Sequence, residues 1–151
     1  MQQPTSPVLE SDLQLSVTQS LVDSMIVTMR KADGIGLAAP QVGQNVRIAV
    51  IDDSADSGLK EPLVLLNPTI LERSVDHDIQ EEGCLSIPGV FGYVPRPTII
   101  TVQAYNRQAQ LLTLSAEGLL ARVIQHEVDH LDGVLFITRA TSFTKGKNLL
   151  P

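Results

Sequence analysis

The segment 125–130, with the sequence QHEVDH, carries the strongest chemical signal in this chain. In an α-helix, which turns by about 100° per residue, His126 and His130 project to the same side, about 40° apart. Two imidazoles one turn apart can bind a divalent metal, while Glu127 flanks the open coordination position. The alternative is an ordinary helix that carries two surface histidines. The spacing favours a metal site.

A third protein ligand would have to come from upstream, because residues 131–151 contain neither histidine nor glutamate. The upstream candidates are Cys84, Glu81, Glu82 and His77. A cysteine that only fills a core would fit an apolar run better than the polar segment around Cys84. As a thiolate, Cys84 would complete a Cys-His-His set and leave one coordination position for water.

A third segment, 34–43, has the sequence GIGLAAPQVG. Its small residues let a ligand approach the backbone closely, and Gln41 offers an amide that can donate a hydrogen bond. The two glycines do not complete the dinucleotide-binding fingerprint, and no P-loop lysine follows them. From spacing alone, a tight structural turn is the better interpretation of this segment.

Together, the three segments resemble the three motifs of the peptide deformylase family: GIGLAAPQ at 34–41, EEGCLS at 81–86 and QHEVDH at 125–130. They occur in this order, and the resemblance runs from the helix before Gly34 to about Phe136. It implies an α+β domain that hydrolyses the formyl group from N-formylmethionyl peptides early in protein maturation. It also implies one catalytic divalent metal, typically Fe2+, which Zn2+, Ni2+ or Co2+ can replace.

The resemblance also implies a role for each matching residue. The implied metal ligands are Cys84, His126 and His130. The implied catalytic groups are Glu127 as general acid and base, with the Gln41 side chain and the Leu85 backbone N–H facing the oxyanion. The substrate backbone would be held as an added strand by Ile35, Gly36 and Gly83. The methionine pocket would be lined by Leu119, Val123 and parts of Glu82 and His126.

One position departs from the family pattern. Phe91 stands where many bacterial members carry an arginine near the pocket mouth, so contacts to the distal part of the substrate differ. Glu82 and Arg96 are either surface charges or a pair that steadies the cysteine loop, and the resemblance favours the pair. Two other functions stay open: a different metallopeptidase or amidase, and a catalytically silent relative that binds nascent chains or the ribosome. The intact Glu127 weighs against the silent relative, because a binding module has no use for an acid/base.

The elements that must position these residues follow from the hydrophobic periodicity. Apolar residues at three- and four-residue steps predict one helix over 18–30 and a second over 118–131. Four short apolar or β-branched runs predict strands, at 46–51, 63–66, 98–105 and 111–115, with the last two joined as a hairpin. Few helices and several strands predict an α+β fold, with a mostly antiparallel sheet packed around a central metal-binding helix.

Composition limits the remaining possibilities. The chain has 151 residues, 43% of them hydrophobic, which predicts one domain over 1–151 with a loose arm at about 1–12 and a short tail at about 138–151. With 11 basic and 17 acidic residues, the net charge of −6 argues against DNA binding.

Neither a membrane span nor a secretory signal is visible. A single cysteine excludes an intramolecular disulfide. We therefore expect a cytoplasmic protein whose partner is the nascent polypeptide, with a transient contact to the ribosome.

Overall fold

The computed structural model describes residues 3–150. Over these residues the chain forms two α-helices, α1 (Ser16–Lys31) and α2 (Gly118–Leu131). It also forms eight strands: β1 (Gly36–Ala38), β2 (Ile48–Ile51), β3 (Leu63–Arg73), β4 (His77–Cys84), β5 (Ile87–Pro97), β6 (Ile99–Tyr105), β7 (Leu111–Glu117) and β8 (Ser142–Lys145). No helix in the described range is long and apolar enough to cross a membrane.

The strands form two sheets, and the pairs of neighbouring strands in both are antiparallel. One sheet has five strands in the order β1-β2-β3-β6-β7, and the other has three in the order β4-β5-β8. The predicted α+β fold with mostly antiparallel pairing is confirmed, although the strands form two sheets where one was predicted. Strands β4 and β5 belong to the smaller sheet, so they lie on a different side of α2 from the larger sheet.

The two helices pack on opposite faces of the five-stranded sheet, and the alternation of side chains along its strands explains why. On β2, Ile48 and Val50 belong to the buried cluster that contains α1, whereas Ile51 belongs to the cluster that contains α2. On β3, Leu65 points to the α2 side and its two neighbours to the α1 side. This period of two is what a strand buried on both faces produces.

Helix α2 is buried almost all round. Of its 14 residues, 11 are buried, including the charged Arg122, Glu127 and Asp129. It contacts the five-stranded sheet on one side and β5 on the other. The helix that carries both histidines is therefore the centre of the molecule, as the sequence predicts.

All of the predicted helices and strands are present, and the largest difference is in the length of one strand. The helix predicted at 118–131 has these bounds in the structure, and the one predicted at 18–30 extends to Ser16–Lys31. The strand predicted at 63–66 continues to Arg73. Asn67 has a φ of 53°, and the pairing with β6 shifts register beside it, so the strand passes through a bulge. An Asn-Pro pair reads locally as a strand end, which is why the prediction stopped there.

The terminal segments are more structured than the sequence predicts. The arm predicted to be loose is held from Thr5 to Val8: the backbone N–H and hydroxyl of Thr5 both donate to the Leu131 carbonyl at 2.9 Å. Val8 donates to the side chain of Asn67 at 2.8 Å. In the predicted tail, β8 pairs with β5. Residues 1 and 2 of the arm and residue 151 of the tail lie outside the described residues.

Candidate metal centre and active site

Two elements bring a set of three metal-binding side chains together. Cys84 ends β4, and His126 and His130 lie one turn apart on α2. The Cys84 sulfur is 3.1 Å from His130 Nε2, and the two histidine Nε2 atoms are 3.2 Å apart. All three donor atoms lie within 4.8 Å of one another. One thiolate and two imidazoles are donors that Zn2+ and Fe2+ accept, so the residues present fit a divalent metal.

Of the four candidates for the third ligand, Cys84 is the one that lies beside both histidines. Glu82 is buried but directs its carboxylate to arginines. Glu81 accepts a hydrogen bond from Thr144, and His77 is exposed on the outer end of β4. No other group of three possible ligand side chains clusters in this way among the described residues.

The orientation of His126 is fixed from behind. Its Nδ1 lies 3.0 Å from Glu82 Oε2, which places the ring proton on Nδ1 and leaves Nε2 free to bind a metal. The ring of Phe136 stacks on the imidazole, with centroids 6.1 Å apart and an angle of 27° between planes. A carboxylate behind a histidine is the usual way in which proteins orient a metal ligand.

Glu82 is itself held by buried arginines. Arg96 donates to both of its oxygens, at 2.6 and 2.8 Å, so the predicted Glu82–Arg96 pair is present. Arg122 adds a third hydrogen bond at 2.7 Å. Burial alone would raise the pKa of Glu82, but Arg96 and His126 lower it to about 2. Glu82 is therefore a carboxylate at any physiological pH.

The surroundings of Cys84 favour its thiolate form. Burial alone would raise the pKa of the thiol, but hydrogen bonds with His126 and His130 lower it to about 5. Burial would likewise lower the pKa of His126, but Cys84 and Glu82 raise it to about 10. Thiolate is the form of cysteine that binds metals, and a metal displaces the proton that such a cluster shares.

Glu127 lies beside the donor set without joining it. Its side chain is buried, and burial raises its pKa, with the nearby histidines acting in the opposite direction. Among the described residues its Oε2 has no hydrogen-bond partner. A buried carboxylate of raised pKa that faces a cleft is suited to accept and return a proton.

Gly36 leaves the space that Glu127 occupies. A Cβ at this position would collide with Glu127 Oε1 and would approach Val123 Cγ1 to 2.8 Å. The small residue in the first motif therefore leaves room for the Glu127 side chain as well as for any ligand that lies along β1. The resemblance gave Gly36 a role in holding substrate only.

Gln41 presents its amide nitrogen to the same site. The backbone N–H of Ala38 donates to Gln41 Oε1 at 2.8 Å, which orients the amide. Its Nε2 then lies 3.0 Å from Ser86 Oγ and 3.6 Å from the Cys84 sulfur. Ser86 was missed by the sequence reasoning, although it belongs to the second motif.

These side chains surround a cleft of about 500 Å³. Of the residues predicted for the site, all but His130 line it, and His130, the third member of the donor set, is buried with 1% of its surface exposed. Three apolar side chains at the cleft are partly exposed: Ile35, Leu85 and Leu119. Exposed apolar groups around a concave site indicate a ligand with an apolar side chain.

Two charged residues of the site, Arg122 and Asp129, received no role in the sequence analysis. Arg122 is buried and donates to Glu82 and to Asp78. Asp129 accepts hydrogen bonds from Arg96 and Arg139. The sequence did carry a signal for these ion pairs, because charged residues stand within the apolar stretches of α2. A charged residue on a buried helix is rarely left without a partner of opposite charge.

Phe91 packs against the cysteine loop. A Cβ on Gly83 would come within 2.7 Å of its ring, so the aromatic side chain fills the space beside that glycine. Lys145 of β8 places its ammonium 5.7 Å from the ring centroid. At the mouth of the cleft this chain therefore combines an aromatic ring with a lysine.

A sequence profile of the family described as polypeptide deformylase matches residues 1–146 of this chain. The chain belongs to the polypeptide deformylase family. Peptide deformylase 1 of Bacillus anthracis is 45% identical over 149 residues, which cover 99% of this chain and 91% of the relative. The peptide deformylase of Halothermothrix orenii is 51% identical over 122 residues, which cover 81% and 77%.

Solved deformylase structures share the fold. A peptide deformylase from Synechococcus elongatus in complex with actinonin superposes with a TM-score of 0.84 at 46% identity, covering 92% of this chain and 74% of that one. A class I type b peptide deformylase from Acinetobacter baumannii, bound to Met-Ala-Ser, gives 0.85 at 35% identity, covering 91% of each chain. Deformylases depend on a metal, and the Cys-His-His set is a possible metal site in this chain.

Proposed function

We propose that this protein is a metal-dependent hydrolase that removes the formyl group from the N-terminal formylmethionine of newly made polypeptides, as a single catalytic domain. The observation that carries the proposal is the convergence of Glu127 and the Gln41 amide beside the Cys-His-His donor set in one cleft. This combination suits hydrolysis of an amide whose acyl group is small. Membership of the deformylase family supports the same reaction.

Cys84, His126 and His130 would hold one divalent metal, which when bound supplies a Lewis acid and a water of lowered pKa. We infer that Fe2+ is the native ion, as the resemblance to the deformylase family implies, and that Zn2+, Ni2+ or Co2+ can substitute, since each of these ions accepts thiolate and imidazole ligands. The orientation of His126 by Glu82 supports its role as a ligand.

Glu127 would manage the proton. Its carboxylate takes a proton from the attacking water and later gives it to the amine that leaves as the formyl group is removed. The raised pKa that burial gives Glu127 supports both steps, because a base that is too weak to hold a proton could not return it.

The oxyanion that develops on the formyl oxygen needs donors. We assign these to Gln41 Nε2, which the Ala38 N–H orients, and to the backbone N–H of Leu85. Fixed donors of this kind act where charge develops, and loss of one costs about 3–4 kcal/mol of barrier.

The rest of the substrate would lie along the cleft as an added strand. Ile35, Gly36 and Gly83 would pair with its backbone. Its methionine side chain would enter the pocket lined by Leu119, Val123, Glu82 and His126, all of which border the cleft. The apolar side chains of Leu119 and Val123 suit a thioether chain.

The test is an amine-release assay on anaerobically purified, iron-loaded protein with formyl-Met-Ala-Ser. Formyl-Met-Ala-Ser should lose its formyl group, and an internal peptide bond of a longer substrate should stay intact. Cleavage of the internal bond with no deformylation would replace this function by a peptidase.

A nascent chain as substrate also places the protein where ribosomes work, and we propose a cytoplasmic location with transient ribosome contact. The contact is tested by co-sedimentation with ribosomes that carry a formylated nascent chain. Co-sedimentation that is equal with empty and with translating ribosomes would remove the nascent chain as the reason for the contact.

A further inference from the structure

Residues after α2 reach back to the helix that carries the histidines. Arg139 follows the 3₁₀ turn Phe136–Thr138 and lies outside all three sequence motifs. Its guanidinium donates twice to Asp129, from Nε to Oδ2 and from Nη2 to Oδ1, both at 2.7 Å. Two parallel hydrogen bonds of this kind fix the carboxylate in both position and rotation.

The hydrogen bonds continue from Asp129 to a metal ligand. Asp129 Oδ2 also accepts from Arg96 Nη1 at 2.8 Å, and Arg96 uses its other nitrogens to bind both oxygens of Glu82. Glu82 Oε2 in turn contacts His126 Nδ1 at 3.0 Å. Asp129, Arg96 and Glu82 are each at most 7% exposed, so water cannot substitute for any of these links.

Arg96 binds two carboxylates, those of Glu82 and Asp129, so a change at Asp129 can affect Glu82. Arg122 gives Glu82 a second cation, and Arg139 gives one to Asp129. Without Arg139, Asp129 would keep Arg96 as its one protein cation in the described structure, and water would enter where the half-exposed guanidinium now lies. A buried carboxylate that loses one of two partners draws the remaining one toward itself, because an uncompensated buried charge is costly. Arg96 would then bind Glu82 less well.

We propose that Arg139 is a positioning residue for His126: by neutralising Asp129 it keeps Arg96 on Glu82, and Glu82 keeps the imidazole aimed at the metal. The proposal rests on the proposed function in one respect, the role of His126 as a metal ligand. The segment that carries Arg139 also reaches His126 directly, because the ring of Phe136 stacks on the imidazole.

The test uses Co2+ as the probe and follows the visible spectrum of the loaded protein and the rate of metal loss into a chelator. Removing a group that directly supports a metal ligand costs about 10–100-fold in affinity. Arg139 acts at a further remove, so Arg139→Met should speed metal loss by about 3–10-fold and shift the spectrum. Arg139→Lys should recover part of both, since it restores the charge but not the paired hydrogen bonds.

Arg107→Met is the matched control. Arg107 also joins two elements through its guanidinium, with bonds of 2.9 Å to Gln19 and 2.6 Å to Asp23, but none of these groups belongs to the network around Glu82. It should lose some thermal stability and keep the wild-type spectrum and rate. An equal effect of Arg107→Met on the cobalt would overturn the proposal, since general destabilisation would then explain both.

A double-mutant cycle with Asp129→Asn distinguishes a positioning role of Arg139 from a general effect on folding. When Asp129 is uncharged, Arg139 has no carboxylate to neutralise, so Arg139→Met should add little to the rate of metal loss. A full additional effect in that background, or a wild-type rate in Arg139→Met alone, would overturn the proposal. The readouts need no substrate, so a protein that binds Co2+ as expected but fails to deformylate would refute only the proposed function.

Discussion

At the scale of single residues, the site depends on a thiol that two imidazoles ionise. Hydrogen bonds from His126 and His130 outweigh burial and lower the pKa of Cys84 to about 5. The sulfur is therefore ready to bind a cation at neutral pH, and the two nitrogens beside it complete the donor set. Glu127, close by, stays outside that set.

Replacing Cys84 by alanine should abolish metal binding, because two imidazoles alone leave a divalent ion with too few protein ligands. Metal content per chain after desalting, measured by atomic emission, is the readout. His77→Ala is the matched control: it removes an exposed residue that sequence reasoning also offered as a ligand, and it should retain a full complement. Full occupancy in Cys84→Ala would exclude the assigned site.

Glu127→Gln should keep the metal and lose at least about 100-fold in kcat, since the amide cannot accept a proton. Steady-state rates on formyl-Met-Ala-Ser, normalised to metal content, give the comparison. The substitution is nearly isosteric, so Tm should change little or rise, as a buried carboxylate of raised pKa is removed. Near-normal turnover would take Glu127 out of the mechanism.

At the scale of elements, periodicity predicted what local sequence determines. Helix α2 appears with its predicted bounds because its apolar residues recur at helical steps. The strands β4 and β5 were not predicted. β4 is mostly polar and exposed, and β5 contains three prolines and two glycines, residues that disfavour strands. These strands exist because they pair with each other along most of their length, and such pairing is not visible in either segment alone.

The same distinction applies to the site. Residues within the three motifs, such as Gln41 and Cys84, could be identified from local sequence. The network through Arg96, Asp129 and Arg139 could not, because it joins residues from β5, α2 and the segment after α2. Long-range ion pairs follow from the tertiary fold, and a single sequence carries no periodic signal for them.

The closeness of β1 to α2 gives a prediction for Gly36→Ala. The added methyl group would occupy space held by Glu127 Oε1 and Val123 Cγ1, so either the acid/base or the strand must move. A misplacement of about 1 Å can cost about 100-fold, and we expect a loss of that order in kcat/KM with metal content retained. Gly58→Ala, in an exposed loop, is the control and should be active. Wild-type kcat/KM in Gly36→Ala would contradict the placement of Glu127 against β1.

At the scale of the whole molecule, the cleft between β1 and the β4–β5 pair determines which substrates fit. Backbone approaches from the Gly36 side and from the Gly83 side, and both segments line the cleft. A formyl carbon carries only hydrogen, whereas an acetyl carbon would add a methyl group between these two backbone segments. We therefore expect efficient hydrolysis of formyl-Met-Ala-Ser and weak hydrolysis of acetyl-Met-Ala-Ser, with norleucine accepted in place of methionine. Comparable kcat/KM for the formyl and acetyl peptides would favour a broader amidase.

Acid should weaken the fold through Glu82. Arg96 and His126, acting against burial, lower the pKa of this carboxyl from an ordinary 4.5 to about 2. Because the folded-state pKa is the lower one, the ionised carboxylate stabilises the fold above pH 4.5, and this contribution is lost as the pH falls from 4.5 toward 2. Urea unfolding at stepped pH should show that decline, and Glu82→Gln should show a shallower one. Identical slopes would assign the acid sensitivity to other groups.

The central position of α2 also affects which motion of the protein could release a bound ion from the donor set. From Leu120 to its end, every residue of α2 except His126 is buried, so little of the helix beyond its exposed first two residues can fray independently of the rest. Its amide hydrogens should exchange with solvent only through opening of the whole molecule, and His126 and His130 should stay aligned throughout the folded lifetime. Cys84, by contrast, ends an edge strand of the smaller sheet. Exchange of a bound ion should therefore follow the local opening of β4, on a timescale faster than unfolding.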